Sequence, residues 1–190
     1  HDFQFTITGA PQWHNQRSSF ITIANYIKYG GVNGGDPNRK YNADWGLLNG
    51  EEYSMRRNYY HKPVMSLNWD WNISSASKLN TVVYASFGRG GGTGDTGSVG
   101  GKNFSNAAWR LPDGTANFDA IYAANAASTP TAGVLVRRAS INSHNWFGII
   151  SSFNQKINDN LKFTAGIDGR YYYGYHYQVV SDFLGATGFR

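Results

Sequence analysis

The glycines between residues 92 and 97 come closest to a known chemical motif. Gly92-Thr93-Gly94-Asp95-Thr96-Gly97 matches G-x-G-x-x-G, which holds a dinucleotide pyrophosphate when a strand precedes it and a helix opens on its last glycine. The next residues, Ser98-Val99-Gly100-Gly101, are poor helix formers. Gly101-Lys102 also lacks the first glycine and the final Ser or Thr of a phosphate-binding loop. We therefore interpret the segment as a flexible loop that binds no nucleotide.

The carboxylates and histidines give no better case for catalysis. Glu51 and Glu52 are adjacent, and adjacent side chains on an extended chain point to opposite faces, so they are poorly placed as an acid–base pair. Four histidines fall near the ends of predicted strands: His14, His61, His144 and His176. They lack a local metal-binding spacing such as H-E-x-x-H, and the chain has no nucleophile-elbow sequence and no cysteine. We predict a protein that is not an enzyme, with no catalytic residues, no metal and no cofactor.

Composition narrows the class of protein. The 190 residues include 23 glycines, 16% of them are aromatic, and only 15% are charged, against about 25% in an average soluble domain. This composition disfavours helical bundles and charged disordered tails. The net charge is +5, but the only adjacent cations are Arg39-Lys40, Arg56-Arg57 and Arg137-Arg138. Cations that are scattered along the sequence do not predict the contiguous basic surface that binds a phosphate backbone, so no nucleic-acid partner is predicted.

Alternation of apolar and polar residues is the main structural signal. Between residues 63 and 73 one face carries large apolar side chains and the other carries small polar ones. The two sets are Met65, Leu67, Trp69, Trp71 and Ile73, and Ser66, Asn68, Asp70 and Asn72. A period of two predicts β-strands with one apolar face. The pattern recurs, and we predict five strands at about residues 2–13, 62–73, 79–89, 146–157 and 161–176.

The connections between these strands differ greatly in length. Residues 74–78 and 158–160 form short turns, whereas residues 14–61 and 90–145 would be long loops. Short turns at one end and long loops at the other are typical of outer-membrane barrels. We therefore predict an all-β fold, a partial antiparallel transmembrane β-barrel with short periplasmic turns and long extracellular loops. The alternative is a soluble β-sandwich with one solvent-exposed face, although such a fold rarely has two loops of about 50 residues.

Short helices are expected within the loops at residues 19–29, capped by Ser18 or Ser19, and at residues 118–127, capped by Asn117.

Ligand contacts are predicted near the long-loop ends of the strands. Aromatic side chains there can stack on sugars or apolar groups, and arginines can hold carboxylates or phosphates. The predicted ligand-binding residues are Trp13, His14, Arg17, Arg89, Tyr173 and His176. The alternative for each is a membrane girdle or a loop surface with no ligand. On the polar face of the last strand, Asp168 and Arg170 lie two residues apart and could share a charge network.

Six short segments add a resemblance to a known family. They are GAPQWHNQR at residues 9–17, YNADWG at 41–46, NGEEYSMR at 49–56, YHKP at 60–63, SFGRGGGTG at 86–94 and NWFG at 145–148. In this order and spacing they resemble the barrel region of TonB-dependent outer-membrane receptors. The most similar receptors are those with an N-terminal carboxypeptidase-like regulatory domain. The resemblance covers nearly the whole chain.

The resemblance implies that the chain takes part in the import of a scarce nutrient by energised active transport. The family has a 22-stranded barrel with a plugged lumen in the Gram-negative outer membrane. The implied partners are outer-membrane lipids, the TonB complex through an N-terminal region, and a small-molecule or oligomeric nutrient, with a surface lipoprotein left open.

The chain departs from the family pattern, since we see no TonB box, no plug domain and too few strands to close a barrel. Residues 1–190 are therefore expected to be a fragment of the receptor barrel. The alternative is a small self-contained outer-membrane or soluble β-protein that binds carbohydrate or another surface ligand.

Overall fold

The fold is mostly β. A computed structural model describes residues 1–29 and 38–190, with 56% of the chain in strands and 10% in helices. The large sheet is antiparallel, which confirms the predicted sheet type. The described strands form open sheets and close no barrel.

Strands make up most of the elements, and the helices are short. In chain order the strands are β1 (Asp2–Thr8), β2 (Gln12–Asn15), β3 (Trp45–Leu48), β4 (Glu51–Ser54), β5 (Arg57–His61), β6 (Val64–Asn72), β7 (Ser77–Gly97), β8 (Ala116–Asn117), β9 (Leu135–Lys156) and β10 (Lys162–Asp182). The helices are α1 (Ile23–Lys28) and α2 (Phe118–Ala126), and a 3-10 turn covers Ala107–Trp109. A helix able to cross a bilayer would have to be longer and more apolar than either α1 or α2, and the described part of the chain contains none.

All five predicted strands are present, but their bounds need correction. The strand predicted at 2–13 is broken into β1 and β2, because Pro11 has no backbone N–H to donate across a sheet. The strand predicted at 62–73 begins only after Pro63 and is β6. The strands predicted at 79–89, 146–157 and 161–176 were too short, since β7, β9 and β10 each have 21 or 22 residues.

The glycine-rich segment at residues 92–97, which we interpreted as a flexible loop, is the C-terminal end of β7. Two glycines of β7 allow a side chain from another part of the chain to approach the strand closely. A Cβ on Gly88 would lie closer than 3 Å to the His144 ring, and one on Gly94 would lie 2.5 Å from Arg56 Nη1. Glycine in a strand therefore marks close side-chain approach in this segment, rather than a turn or a phosphate-binding loop.

The predicted long loops contain small elements of their own. They hold β3, β4, β5 and β8 as well as both helices. Asn117 caps α2 as predicted, accepting a hydrogen bond from Ala120 N at 3.0 Å. Thr22 caps α1 instead of Ser18 or Ser19, since the helix begins only at Ile23. The backbone N–H groups of the two serines donate to the Asp44 carboxylate.

The chain divides into two compact units. The first, called the sheet unit, comprises residues 1–12, 60–90 and 142–176. Its strands run in the order β1-β6-β7-β9-β10. In this register Phe3 pairs with Trp69, Leu67 with Val83 and Trp71 with Leu79. The described residues of this unit form one layer of sheet.

The second unit, called the core unit, comprises residues 13–59, 91–141 and 177–190. It contains the three-stranded sheet β4-β3-β8 and a hydrophobic core. The central core residues are Met55, Phe104, Trp109, Phe118, Ile121, Leu135 and Leu184. Every buried apolar side chain among the described residues lies in the core unit, and none lies in the sheet unit.

Buried tyrosine hydroxyls make the core unit sensitive to alkaline pH. Tyr53 Oη donates to Asp182 Oδ2 at 2.9 Å. Burial raises the pKa of Tyr53 above its usual value of 10.0, although the Arg137 guanidinium lowers it in part. Because the folded protein holds this proton more tightly than the unfolded chain, the stabilisation is complete below pH 10 and is lost as the pH rises further.

We therefore expect the free energy of unfolding to fall between about pH 10 and 12. Tyr53→Phe should make this fall shallower, and Tyr41→Phe should act in the same direction, because burial also raises the pKa of Tyr41. Urea unfolding at several pH values measures the slope. An unchanged slope in Tyr53→Phe would contradict the assignment.

Candidate ligand-binding site

The sheet unit has one apolar face that is exposed to its surroundings. Phe3, Phe5 and Ile7 of β1 are 67%, 65% and 63% exposed. The face continues with Leu67, Val83, Phe147, Ile149, Phe163, Ile167 and Tyr171, all of which are exposed. We call this set the apolar face. Since strand residues alternate between faces, the residues between them form a second, more polar face.

Rows of aromatic rings border the apolar face at two levels. At one level the Trp69 and Trp71 rings stack with centroids 5.6 Å apart, and Phe3 stacks on Trp69 at 6.0 Å. At the other level Phe147 contacts Phe87 at 5.4 Å and Tyr171 at 6.4 Å. Leu79, the partner of Trp71, and Phe87 are separated by about 27 Å along β7. Tilted by about 35–45°, a strand of that length would rise about 20 Å, somewhat less than the roughly 25 Å apolar band of outer-membrane barrels.

The polar face contains a pocket of about 400 Å³. Its lining residues are Lys62, Val64, Tyr84, Ser86, His144 and Trp146, and we call it the aromatic–lysine pocket. They come from β6, the residue before Pro63, β7 and β9. Its volume lies within the range of small-molecule sites in proteins.

Close ring packing holds the walls of the aromatic–lysine pocket. Trp146 contacts Tyr84 at 6.2 Å and Tyr172 at 5.9 Å, both edge to face. Ser86 Oγ and His144 Nε2 are 3.2 Å apart, within hydrogen-bond distance. Gly148 lies beneath the Tyr84 ring, where any Cβ would come closer than 3 Å to it. The glycine therefore allows the ring to lie flat on the sheet.

The pocket combines stacking surfaces with free donors. Trp146 Nε1 is buried and has no hydrogen-bond acceptor among the described residues. Lys62 Nζ lies 5.1 Å from the Tyr60 ring and forms no ion pair within the described ranges. The rings of the pocket can stack on the flat face of a polar ligand, and Lys62 can donate a hydrogen bond to its edge. Residues 1–29 and 38–190 contain no group of three or more histidines, cysteines or carboxylates able to hold a metal.

Three predicted ligand-binding residues, Trp13, His14 and Arg17, belong to the core unit. Trp13 and His14 lie in β2 and are exposed, and the Arg57 guanidinium lies 4.5 Å above the Trp13 ring. Arg17 donates to the backbone carbonyls of Arg39 and Tyr41. The Arg17 guanidinium is therefore already hydrogen-bonded within the protein, whereas the side chains of Trp13 and His14 are exposed and could contact a ligand.

The other three, Arg89, Tyr173 and His176, belong to the sheet unit. Arg89 donates to His144 O and Asn145 Oδ1, each at 2.8 Å, and lies 5.7 Å from the Tyr175 ring. Tyr173 packs against the same Tyr175 ring at 4.8 Å. Arg89 and Tyr173 thus share the face of Phe87, whereas alternation places His176 on the opposite face. Their role in ligand binding stays a prediction.

Comparison with known proteins gave no match. No family model, no curated protein and no solved structure matches the chain. The functional assignment therefore depends on the residues and geometry of the chain itself.

Sequence analysis missed most of the aromatic–lysine pocket, although one signal for it is present. The strand predicted at 146–157 excluded His144, which was assigned to a loop end. The alternation in fact continues upstream, because His144 and Trp146 share the polar face while Asn145 and Phe147 share the other. The predicted pairing of Asp168 with Arg170 is confirmed, with two hydrogen bonds of 3.0 and 2.6 Å.

Proposed function

We propose that this chain is part of the barrel wall of a TonB-dependent outer-membrane receptor, which imports a scarce nutrient by energised transport. The observation that carries the proposal is the apolar face of the sheet unit. It consists of large exposed side chains bordered by two rows of aromatic rings. Among its described residues, the sheet unit contains no buried apolar side chain.

The energetics of this face favour a lipid environment. Leaving a large apolar side chain in water costs about 1.5–3 kcal/mol relative to burying it. Soluble proteins rarely expose contiguous apolar patches of more than a few hundred Å². Acyl chains would cover such a face without a second layer of protein, and interfacial aromatic residues would lie at the headgroups.

The resemblance to TonB-dependent receptors supplies the transport part of the proposal. In such a barrel the polar face would line the lumen, and the aromatic–lysine pocket would contact the nutrient. The TonB complex would act through a region outside this chain, which would be a fragment of the receptor, and a surface lipoprotein is an additional candidate partner. The proposed location is the Gram-negative outer membrane.

Two adjacent valines test the membrane orientation directly. Val83 pairs with Leu67 on the apolar face, and Val82 pairs with Asn68 on the polar face. The 190 residues contain no cysteine, so Val83→Cys and Val82→Cys form a matched pair once any cysteine elsewhere in the native polypeptide has been replaced by serine. Each is labelled with bimane in detergent and reconstituted into bilayers with brominated acyl chains. We expect the label at residue 83 to be quenched at least about 2-fold and the label at residue 82 to be unaffected.

The outcome distinguishes the proposal from its alternatives. Equal quenching at both positions, or none at residue 83, would overturn the membrane assignment and favour the soluble carbohydrate-binding β-protein. A denaturing gel of the outer-membrane fraction then measures the mass of the native polypeptide. A mass well above 21.1 kDa supports the large receptor, whereas a mass of 21.1 kDa supports a small self-contained protein.

A further inference from the structure

We propose that the core unit holds an oxyanion-binding site at Gly94, with the guanidinium groups of Arg56 and Arg138 as its donors. The ligand group is a carboxylate or a phosphate. The site itself does not depend on the receptor function. The proposed function enters only where the oxyanion is taken to belong to the imported nutrient.

The two guanidinium groups lie close to the position that a Cβ on Gly94 would take. If Gly94 had a Cβ, that atom would lie 2.5 Å from Arg56 Nη1 and 3.7 Å from Arg138 Nη2. Gly94 lies in β7, Arg138 in β9 and Arg56 immediately before β5. Three separate parts of the chain therefore place two positively charged groups around one point, and the missing side chain of the buried Gly94 lets the Arg56 guanidinium approach β7 there.

Both arginines have donors to spare. Arg56 Nη2 donates to Asp95 Oδ1 at 2.7 Å, but Arg56 Nε is buried without an acceptor among the described residues and is 3.8 Å from Asp44 Oδ1. Arg138 donates to Ser140 Oγ. Within residues 1–29 and 38–190 Arg138 makes no ion pair.

The guanidinium of the neighbouring Arg137, in contrast to that of Arg138, has several partners within the core unit. Its guanidinium donates to Ser54 O at 3.1 Å, lies 3.9 Å from Asp182 Oδ2 and stacks 4.6 Å from the Tyr53 ring. Arg137 is therefore compensated by a carboxylate, a carbonyl and a ring. Arg138, one residue later and on the other face of β9, has no such set of partners among the described residues.

The arrangement suits an oxyanion better than other ligands. Guanidinium groups present planar donor forks that match carboxylate and phosphate oxygens, and charge-assisted hydrogen bonds are about twice as strong as neutral ones. Asp95 compensates the charge of Arg56, whereas Arg138 makes no ion pair among the described residues. An anion beside Arg138 would compensate its charge, and a neutral ligand would not.

A glycine-to-alanine pair tests the site without changing any charge. Gly94→Ala places a methyl group at the convergence point, and the displaced atom is the flexible end of Arg56, so the fold should tolerate it. Gly92→Ala is the matched control, because it lies on the same strand and face with its nearest atom, Asn58 Nδ2, at 3.8 Å. The native polypeptide in detergent at low ionic strength is titrated calorimetrically with inorganic phosphate and with acetate.

We expect the unmodified protein and Gly92→Ala to bind at least one of the two anions with equal affinity. Gly94→Ala and Arg138→Gln should bind it at least about 10-fold more weakly. Arg138→Lys, which keeps the charge but loses the planar fork, should be intermediate. Tighter binding of phosphate or of acetate identifies the oxyanion class.

Two results would overturn the proposal: binding of neither anion by the unmodified protein, or equal affinities in Gly94→Ala and Gly92→Ala. Because the titration needs no bilayer and no transport, its result is independent of the valine labelling. If the valine labelling contradicts the membrane assignment, the proposed anion site is unaffected. If the titration contradicts the anion site, the membrane assignment is unaffected.

Discussion

Phe118→Ala is expected to lower the free energy of unfolding by about 3–5 kcal/mol. Phe118 is fully buried at the start of α2. Its ring contacts Tyr53 edge to face at 4.6 Å and stacks with Phe104 at 5.9 Å. These rings are contributed by β4 and by the segment before the 3-10 turn, so a cavity at Phe118 would weaken the packing of three elements at once.

Phe20 provides the control for the same substitution. Its side chain is fully exposed, so Phe20→Ala should change the free energy of unfolding by less than about 0.5 kcal/mol. Urea unfolding of the native polypeptide in detergent, followed by near-ultraviolet circular dichroism, measures both variants. Similar losses in the two variants would show that the core of the core unit does not control the transition.

The position of this core could not be predicted from the sequence. Met55, Phe104, Phe118 and Leu184 belong to four short or irregular segments. A strand of four residues or a single 3-10 turn is too short to show a hydrophobic period. The sequence therefore predicted loops at 14–61 and 90–145, and only the Asn117 cap indicated α2 correctly.

The alternation along β6, by contrast, did predict the apolar face. Met65, Leu67 and Trp69 pair with β1 and β7 residues of the same face, and period-two patterning depends only on local geometry. The arginine site at Gly94 could not be found in this way. It needs the alignment of β7 with β9 and the position of Arg56, both of which are set by contacts distant in sequence.

A second large effect is expected at Asn125, where a buried amide holds three parts of the core unit together. Asn125 Nδ2 donates to Leu135 O at 2.7 Å and to Leu184 O at 2.9 Å, while Oδ1 accepts from Leu135 N at 2.9 Å. The side chain is fully buried in α2. It thus satisfies one backbone N–H and two carbonyl groups that no water can reach.

Asn125→Leu should lower the free energy of unfolding by about 3–5 kcal/mol, because a buried backbone group left unpaired costs about 1–3 kcal/mol. Asn125→Asp keeps the shape but replaces the donor with an acceptor that faces two carbonyl oxygens, so it should be at least as destabilising. Urea unfolding by the same protocol measures both.

Asn117→Ala gives the scale for an ordinary polar contact on the same helix. It removes one capping hydrogen bond and should cost about 1 kcal/mol. If Asn125→Leu cost no more than Asn117→Ala, the backbone groups of Leu135 and Leu184 would have found other partners. A loss several times larger would show that the amide fixes where β9 begins, because Leu135 is the first residue of that strand.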